Sequence, residues 1–266
     1  MRGYLIYDRE GEKRNTWFIN ELITVAKKYD IELELIVVEK NEPFSLEAMP
    51  DVALVRVIAP HINEYLEKNG VKVFNNFKTS YYANNKWNTF LLAKKLDIEV
   101  MDTFLPEKTD KIEYPFVVKS LDGHGGSEVF LVKSKMEYDE VAKKLGNNLL
   151  LQEKCDEVGK DVRVYSLDGE IVASILRESE NDFRSNFSLG GRVSAFEATD
   201  EMKKTVKKLY DELGFTLVGI DFIRNNGKWI LNEIEDVVGT RMLYKCTDIN
   251  IVELYIDSIC KKIKSV

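Results

Sequence analysis

Three carboxylates and a lysine stand out for what their spacing could do. Asp221, Glu233 and Glu235 lie in "GIDFIRNNGKWILNEIED", residues 219–236. Two apolar runs around Asn225-Asn226-Gly227 give the pattern of a β-hairpin. Glu233 and Glu235 share a face, because strand side chains alternate with period two. The turn decides whether Asp221 joins them. A two-residue Asn226-Gly227 turn pairs residues whose numbers sum to an odd value and puts Asp221 on the opposite face. A three-residue turn pairs Arg224 with Lys228 and gathers all three carboxylates. Such a trio repels itself unless a cation neutralises it. Oxygen ligands suit Mg²⁺ or Mn²⁺, commonly shared with nucleotide phosphates. The competing reading is a solvated acidic face, and the apolar neighbours Ile220, Phe222, Ile230, Leu231 and Ile234 argue against it.

The lysine is Lys119, in "FVVKSLDGHGGSEVF", residues 116–130. A Walker loop needs G-x-x-x-x-G-K-[ST] opening a helix, and a dinucleotide fingerprint needs G-x-G-x-x-G between strand and helix. Here the lysine precedes Gly123, Gly125 and Gly126, and both flanks are strand-like. The spacing predicts a glycine flap between antiparallel strands. Its backbone N–H groups can approach phosphate because no Cβ intervenes. Lys119 reaches the same anion as a point charge. His124 lies within this flap, either touching phosphate or solvated. A third candidate is "NDFRSNFSLGGRV", where Arg184 offers a planar fork for phosphate or carboxylate and Asn186 a neutral donor.

The positioning elements read as α/β, becoming α+β in the C-terminal part. "GYLIY", "IELELIVV", "DVALVRV" and "VKVF" are strands alternating with helices, which favours a mostly parallel sheet. A helix from Asn15 carries Phe18, Leu22, Val25, Ala26 and Tyr29 on one stripe. "NNKWNTFLLAKKL" presents Trp87, Phe90, Leu91 and Lys94 at helical spacing. Ser134 and Glu137 form a capping box for a helix that stops at Gly146. Asp168-Gly169 marks another hairpin, and Met202, Val206, Leu209 and Leu213 line a helix ending at Gly214. The expected division is 1–77, 78–150 and 151–266.

Composition narrows the partners. The net charge of −7 argues against nucleic acid, since phosphate-backbone binding rests on an excess of lysine and arginine. No apolar run reaches the roughly 18 residues of a membrane span, and the N-terminus has no secretion signal. Cys155, Cys246 and Cys260 form no C-x-x-C pair and read as reduced thiols of a cytoplasmic protein. With two histidines, a multi-histidine metal site is excluded.

Lys86, Lys119 with its flap, "LLLQEK", "DVRV", "DFRSNFSLGG", "VGIDFI" and "LNEIE" follow one another in an order that resembles the ATP-grasp ligases, most closely the RimK-like glutamate-ligase branch. The similarity runs from about residue 75 to 241, and the preceding α/β unit matches the Rossmann-like pre-ATP-grasp domain of that family. The resemblance implies that Lys86 and Lys119 hold the α- and β-phosphates of ATP beneath the flap of Gly123, His124, Gly125 and Gly126. It places Glu153 and Lys154, with Gln152 and Cys155 beside them, at the adenine edge and Asp161 on the ribose. It assigns Arg184 and Asn186 to the γ-phosphate and transition state, and Asp221, Glu233 and Glu235 to two Mg²⁺ ions, with Mn²⁺ as the alternative. Arg163, Arg177 and Arg241 fall to the substrate.

The implied reaction is ADP-forming ligation of a small-molecule or peptide carboxylate to an amino-acid amine through an acylphosphate, in a homodimer if the family habit holds. A regulatory protein that keeps the nucleotide site without turnover is the rival. Three departures stand out: Glu235 where this branch usually has asparagine, Asn85 where aspartate is common, and "DVVGTRMLY" where relatives commonly have "ASPG".

Overall fold

The structure, a computed structural model, describes residues 1–123, 125–179, 182–184 and 191–264. It begins with β1 (Arg2–Asp8), α1 (Arg9–Arg14), α2 (Thr16–Lys27), β2 (Glu32–Val38), β3 (Val52–Val55), α3 (Pro60–Lys68) and β4 (Lys72–Phe74). These strands form a parallel sheet in the order β2-β1-β3-β4. The expected stripe on α2 is buried at Phe18, Leu22, Val25 and Ala26, while Tyr29 packs from just beyond the helix. The short helix α1 has no apolar face of its own and buries no residue, so periodicity could not reveal it.

The chain continues through α4 (Phe77–Tyr82), α5 (Lys86–Lys95), β5 (Thr103–Phe104), β6 (Phe116–Lys119), β7 (Val129–Val132), α6 (Lys135–Leu145) and β8 (Leu150–Glu153). A small antiparallel sheet results, ordered β5-β8-β6-β7, with its own core around Phe116, Val118 and Leu151. Ser134 caps α6 and Gly146 ends it, as the capping box requires. On α5 the stripe differs from expectation. Thr89, Leu92 and Ala93 face the core, whereas Leu91 is 47% exposed and Trp87 stacks on Phe90 at 5.3 Å. Two aromatic rings can bury area against each other, so their spacing does not identify the face the domain covers.

The third sheet comprises β9 (Glu157–Leu167), β10 (Glu170–Glu178), β11 (Arg192–Ala195), β12 (Leu217–Asn225) and β13 (Lys228–Glu235), in the order β11-β10-β9-β12-β13. Helix α7 (Asp200–Leu213) buries Met202, Val206, Leu209 and Leu213 against one face. After α8 (Arg241–Cys246), α9 (Ile251–Lys264) runs back to α2, and the C-terminal sheet and N-terminal unit share one core. Asn75 fixes that junction from within. Its amide donates to Leu217 O at 2.8 Å and accepts from Thr216 N at 2.7 Å. Among the described residues no helix is long and apolar enough to cross a membrane.

Candidate active site

The β12–β13 hairpin answers the register question by a route that neither turn length anticipated. Asn226 and Gly227 both have positive φ, +50° and +74°, and form a two-residue turn of the primed kind. Asn225 accordingly pairs with Lys228 and Phe222 with Leu231, the odd register. Between Phe222 and Asp221 the ladder then slips by one residue, and Asp221 pairs with Glu233. The extra residue is Asn232, a β-bulge. It turns Asp221 to the side of Glu233 and Glu235, and their carboxylate oxygens lie within 4.8 Å of one another. The three-residue turn is therefore not used. The bulge also aims Asn232 at the lysine, and Lys119 Nζ donates to its Oδ1 at 2.9 Å. Asn232 stands in "LNEIE", but no residue type announces a bulge.

The lysines arrive from different elements. Lys119 ends β6, paired antiparallel with β7, so the glycine turn is a flap between strands as expected. Gly125 and Gly126 adopt φ of +67° and +76°, where a side chain would be strained. Lys86 is the first residue of α5, whose N-cap Asn85 accepts from Asn88 N at 3.0 Å. Asparagine and aspartate cap almost equally well, which accounts for Asn85. Lys86 Nζ donates to Gly123 O at 2.5 Å and sits 3.4 Å from Glu233. Arg184 donates to Gly126 O at 2.7 Å, and Asp182, which sequence reasoning passed over, pairs with it at 2.7 Å. The flap is thus tethered at Gly123 and Gly126.

Lys86, Lys119, Gly123, Gly125, Gly126, Gln152, Glu153, Lys154, Cys155, Asp161, Arg184, Asp221 and Glu233 line one cleft of about 780 Å³. Val117, Val158 and Ile223 give it apolar wall for a base. Glu235, Arg163 and Arg241 instead line a larger adjoining cleft, which shares Gly125 and Arg177 with the first. His124 and Asn186 lie outside the described residues.

Beneath the carboxylates runs an ion-pair network. Arg163 grips Asp221 with two bonds of 2.7 Å and reaches Glu235 at 2.6 Å. Arg177 grips Asp161 through both oxygens and reaches Asp221 at 2.7 Å. The buried carboxylate of Asp161 is therefore engaged by an arginine, and two of the three arginines assigned to substrate, Arg163 and Arg177, are buried and occupied by protein carboxylates. Four cations (Lys86, Lys119, Arg163, Arg177) balance four anions (Asp161, Asp221, Glu233, Glu235). A triphosphate entering with divalent cations leaves that balance undisturbed.

The electrostatics of the three carboxylates are uneven. Burial works against ionised Asp221, but Arg163 and Arg177 overcome it and hold its pKa well below the usual range. Burial likewise opposes ionised Glu233, yet Lys86 and Lys119 keep it low. Glu235 is pushed up to about 7, chiefly by burial with the neighbouring Asp221 and Glu233 adding to it against Arg163. A close trio whose third member keeps its proton almost to neutrality is a donor set short of positive charge. All-oxygen donors of this kind fit Mg²⁺ or Mn²⁺.

Lys119, 8% exposed, is pushed down to about 8 by desolvation, against the pull of Glu233. A bound phosphate favours its charged form. In metal-free buffer at about pH 9, where unliganded Lys119 is largely neutral, ATP binding should take up a fraction of a proton, falling to none below about pH 7. Calorimetry in buffers of different ionisation enthalpy reads this directly. Lys119→Met should show no uptake.

Comparison with known proteins shows the family of the chain. Residues 83–259 match the family model of the RimK-like ATP-grasp domain. A Mycoplasma genitalium protein, MG011, is 29% identical over 270 residues, covering 99% of this chain and 94% of that protein. Human N-acetylaspartylglutamate synthase A is 29% identical over 218 residues, covering 73% of this chain and 56% of the synthase. The fold of D-alanine–D-alanine ligase from Bacillus anthracis, solved with ATP, superposes with a TM-score of 0.76 at 19% identity, over 100% of this chain and 98% of that one. With two thirds of its length matched to the family model, the chain belongs to the RimK-like ATP-grasp family.

Proposed function

We propose that the protein is an ADP-forming carboxylate–amine ligase that joins an amino acid to a small-molecule or peptide carboxylate. The observation that carries this is the junction of two clefts: one lined by the lysines and flap, the other by Glu235 and cationic side chains, meeting at Gly125 and Arg177. A nucleotide in the first presents its terminal phosphate towards an acceptor in the second.

A carboxylate oxygen of the acceptor attacks the γ-phosphorus, the bond to the β–γ bridging oxygen breaks, and ADP leaves. The product is an acylphosphate. The amine then attacks its carbonyl carbon, inorganic phosphate departs, the nitrogen loses a proton, and an amide remains. Phosphoryl transfer needs charge neutralisation and alignment more than covalent assistance. Lys119, set on β6, and Lys86, at the start of α5, hold phosphate oxygens from opposite sides of the flap. Arg184, already against Gly126, lies ready to receive negative charge as its grip on Asp182 loosens. The flap covers the acylphosphate from water. Asp221, Glu233 and Glu235 would hold two Mg²⁺ ions, which when bound neutralise the triphosphate and polarise the transferred phosphoryl group. The reading keeps the division 1–77, 78–150 and 151–266, although β8 (Leu150–Glu153) carries the central sheet three residues past the second boundary, and it includes assembly as a homodimer.

The test is to incubate the protein with ATP, Mg²⁺ and a pool of amino acids and small carboxylic acids, with hydroxylamine as the amine. Hydroxamate and ADP should appear in equal amounts. AMP as the product, or tight ATP binding with no turnover, would overturn the ligase.

A further inference from the structure

The N-terminal sheet holds a buried cation that none of this chemistry uses. In the order β2-β1-β3-β4, successive connections leave β1 on opposite sides, so the topological switch falls between β1 and β3. Open α/β sheets bind ligands in the crevice beyond the carboxyl ends of their strands at that switch. Ile6 pairs with Val55, and the next residues along are Tyr7 and Arg56. Both are buried, at 1% and 6% exposure, and Arg56 lines the larger cleft with Glu235.

Arg56 is poorly satisfied. One terminal nitrogen donates to Val238 O at 2.8 Å, and the other lies 3.5 Å from Asp236 O, one residue beyond Glu235. Its Nε makes no well-aligned hydrogen bond, and the Tyr7 hydroxyl beside it has only this guanidinium for a partner. No carboxylate among the described residues forms an ion pair with it, and the Phe18 ring lies 5.5 Å from its guanidinium carbon. A guanidinium offers five donors, and the buried Asp236 carboxyl that attracts this one is bonded to Asn84 and makes no ion pair with it. The rest of the cleft does not supply a counter-charge. Arg14 is taken by Glu10, and Arg163 by Asp221 and Glu235. Asp8 is engaged in capping α1, whereas Lys40 and Arg241 line the cleft with no ion pair among the described residues. The unbalanced charge facing the cleft is positive.

We propose that Arg56 is a specificity-determining anchor for a second carboxylate of the acceptor, which is therefore a dicarboxylate: one carboxyl group activated beside Glu235, the other held at the β1–β3 crevice. This rests on the ligase reading for what becomes of the first carboxyl group, but not for the binding of the second. A purely structural role for Arg56, tying β3 to the 236–238 segment, makes a different prediction, because it affects every acceptor alike.

The experiment measures equilibrium binding to protein loaded with Mg²⁺ and a non-hydrolysable ATP analogue. The probes are succinate, N-acetyl-L-aspartate and N-acetyl-L-glutamate, each paired with the monoamide that lacks one charge. At least one diacid should bind about tenfold or more tighter than its monoamide. Arg56→Met should bring that ratio to within about twofold while leaving analogue affinity unchanged, and Arg56→Lys should retain part of it. Should Arg56→Met fail to fold, Arg56→Lys decides, since a shifted ratio supports the anchor and an unchanged one overturns it. Equal binding of every diacid and monoamide by the wild type, or loss of both alike in the variants, also overturns it. The two readings fail separately. Wild-type protein that prefers the diacid but forms no hydroxamate refutes the ligase alone, and hydroxamate formed equally well from acid and monoamide refutes the anchor alone.

Discussion

Glu233→Gln should lower ADP formation about a thousandfold and barely change the melting temperature. The size follows from what the side chain does. Removing a preorganised charge interaction with a transferring phosphoryl group costs on the order of 10²–10³ in rate, and losing a metal ligand adds to that. Stability is spared for a different reason. The Glu233 side chain is 19% exposed, its nearest cation is Lys86 at 3.4 Å, and it sits between two other carboxylates that its charge repels. Losing a partly exposed ion pair costs roughly 0–1 kcal/mol, and relief of repulsion offsets some of it. Steady-state turnover with saturating Mg²⁺ and a thermal melt of the same preparation check both halves. Turnover within tenfold of wild type would make the trio a solvated acidic face after all.

Asp221→Asn is expected to behave differently, although the two residues face each other across one ladder. Sequence reasoning treats them as equivalent ligands. The structure makes Asp221 the hub of two buried arginines, with Arg163 on both its oxygens and Arg177 on one. Neutralising it leaves two desolvated guanidinium groups short of a counter-charge. Breaking a buried ion pair from one side costs about 3–5 kcal/mol, which for a chain of this size lowers the melting temperature on the order of 10 °C. The loss should shrink as pH falls below about 4, because the unfolded carboxyl takes up its proton there while Asp221 in the fold stays ionised, so its contribution to stability fades with falling pH. A melt unchanged from wild type would show that the network contributes little to folding, and the arginines would then be free for substrate.

These two expectations diverge because of what a sequence can carry. Residue types with local geometry were legible: the lysine before the glycines, the capping box at Ser134, the hairpin at Asp168-Gly169, the stripe of α7 and the parallel alternation of the first 74 residues. Each depends on neighbours a few positions apart, where helix and strand periods and turn chemistry act directly. Seven weak motifs in order also sufficed for the family, because order along the chain survives even when each motif is common.

Three things were decided only by the tertiary structure. The bulge at Asn232 placed Asp221 among the glutamates, and a bulge reflects strain and packing across a whole sheet rather than any residue signature. The commitment of Arg163 and Arg177 to Asp161 and Asp221 arises from neighbouring strands β9, β10 and β12, far apart in sequence and adjacent only once paired. Arg56 is one charge within the strand "DVALVRV", and only the return of residues 236–238 to the N-terminal sheet buried it at the edge of the larger cleft. The sequence determined which chemistry this chain performs, since that lies in residue types and their order. The tertiary structure decided which charges are spent on each other and which remain for a ligand, because that balance depends on distances that only the folded chain fixes.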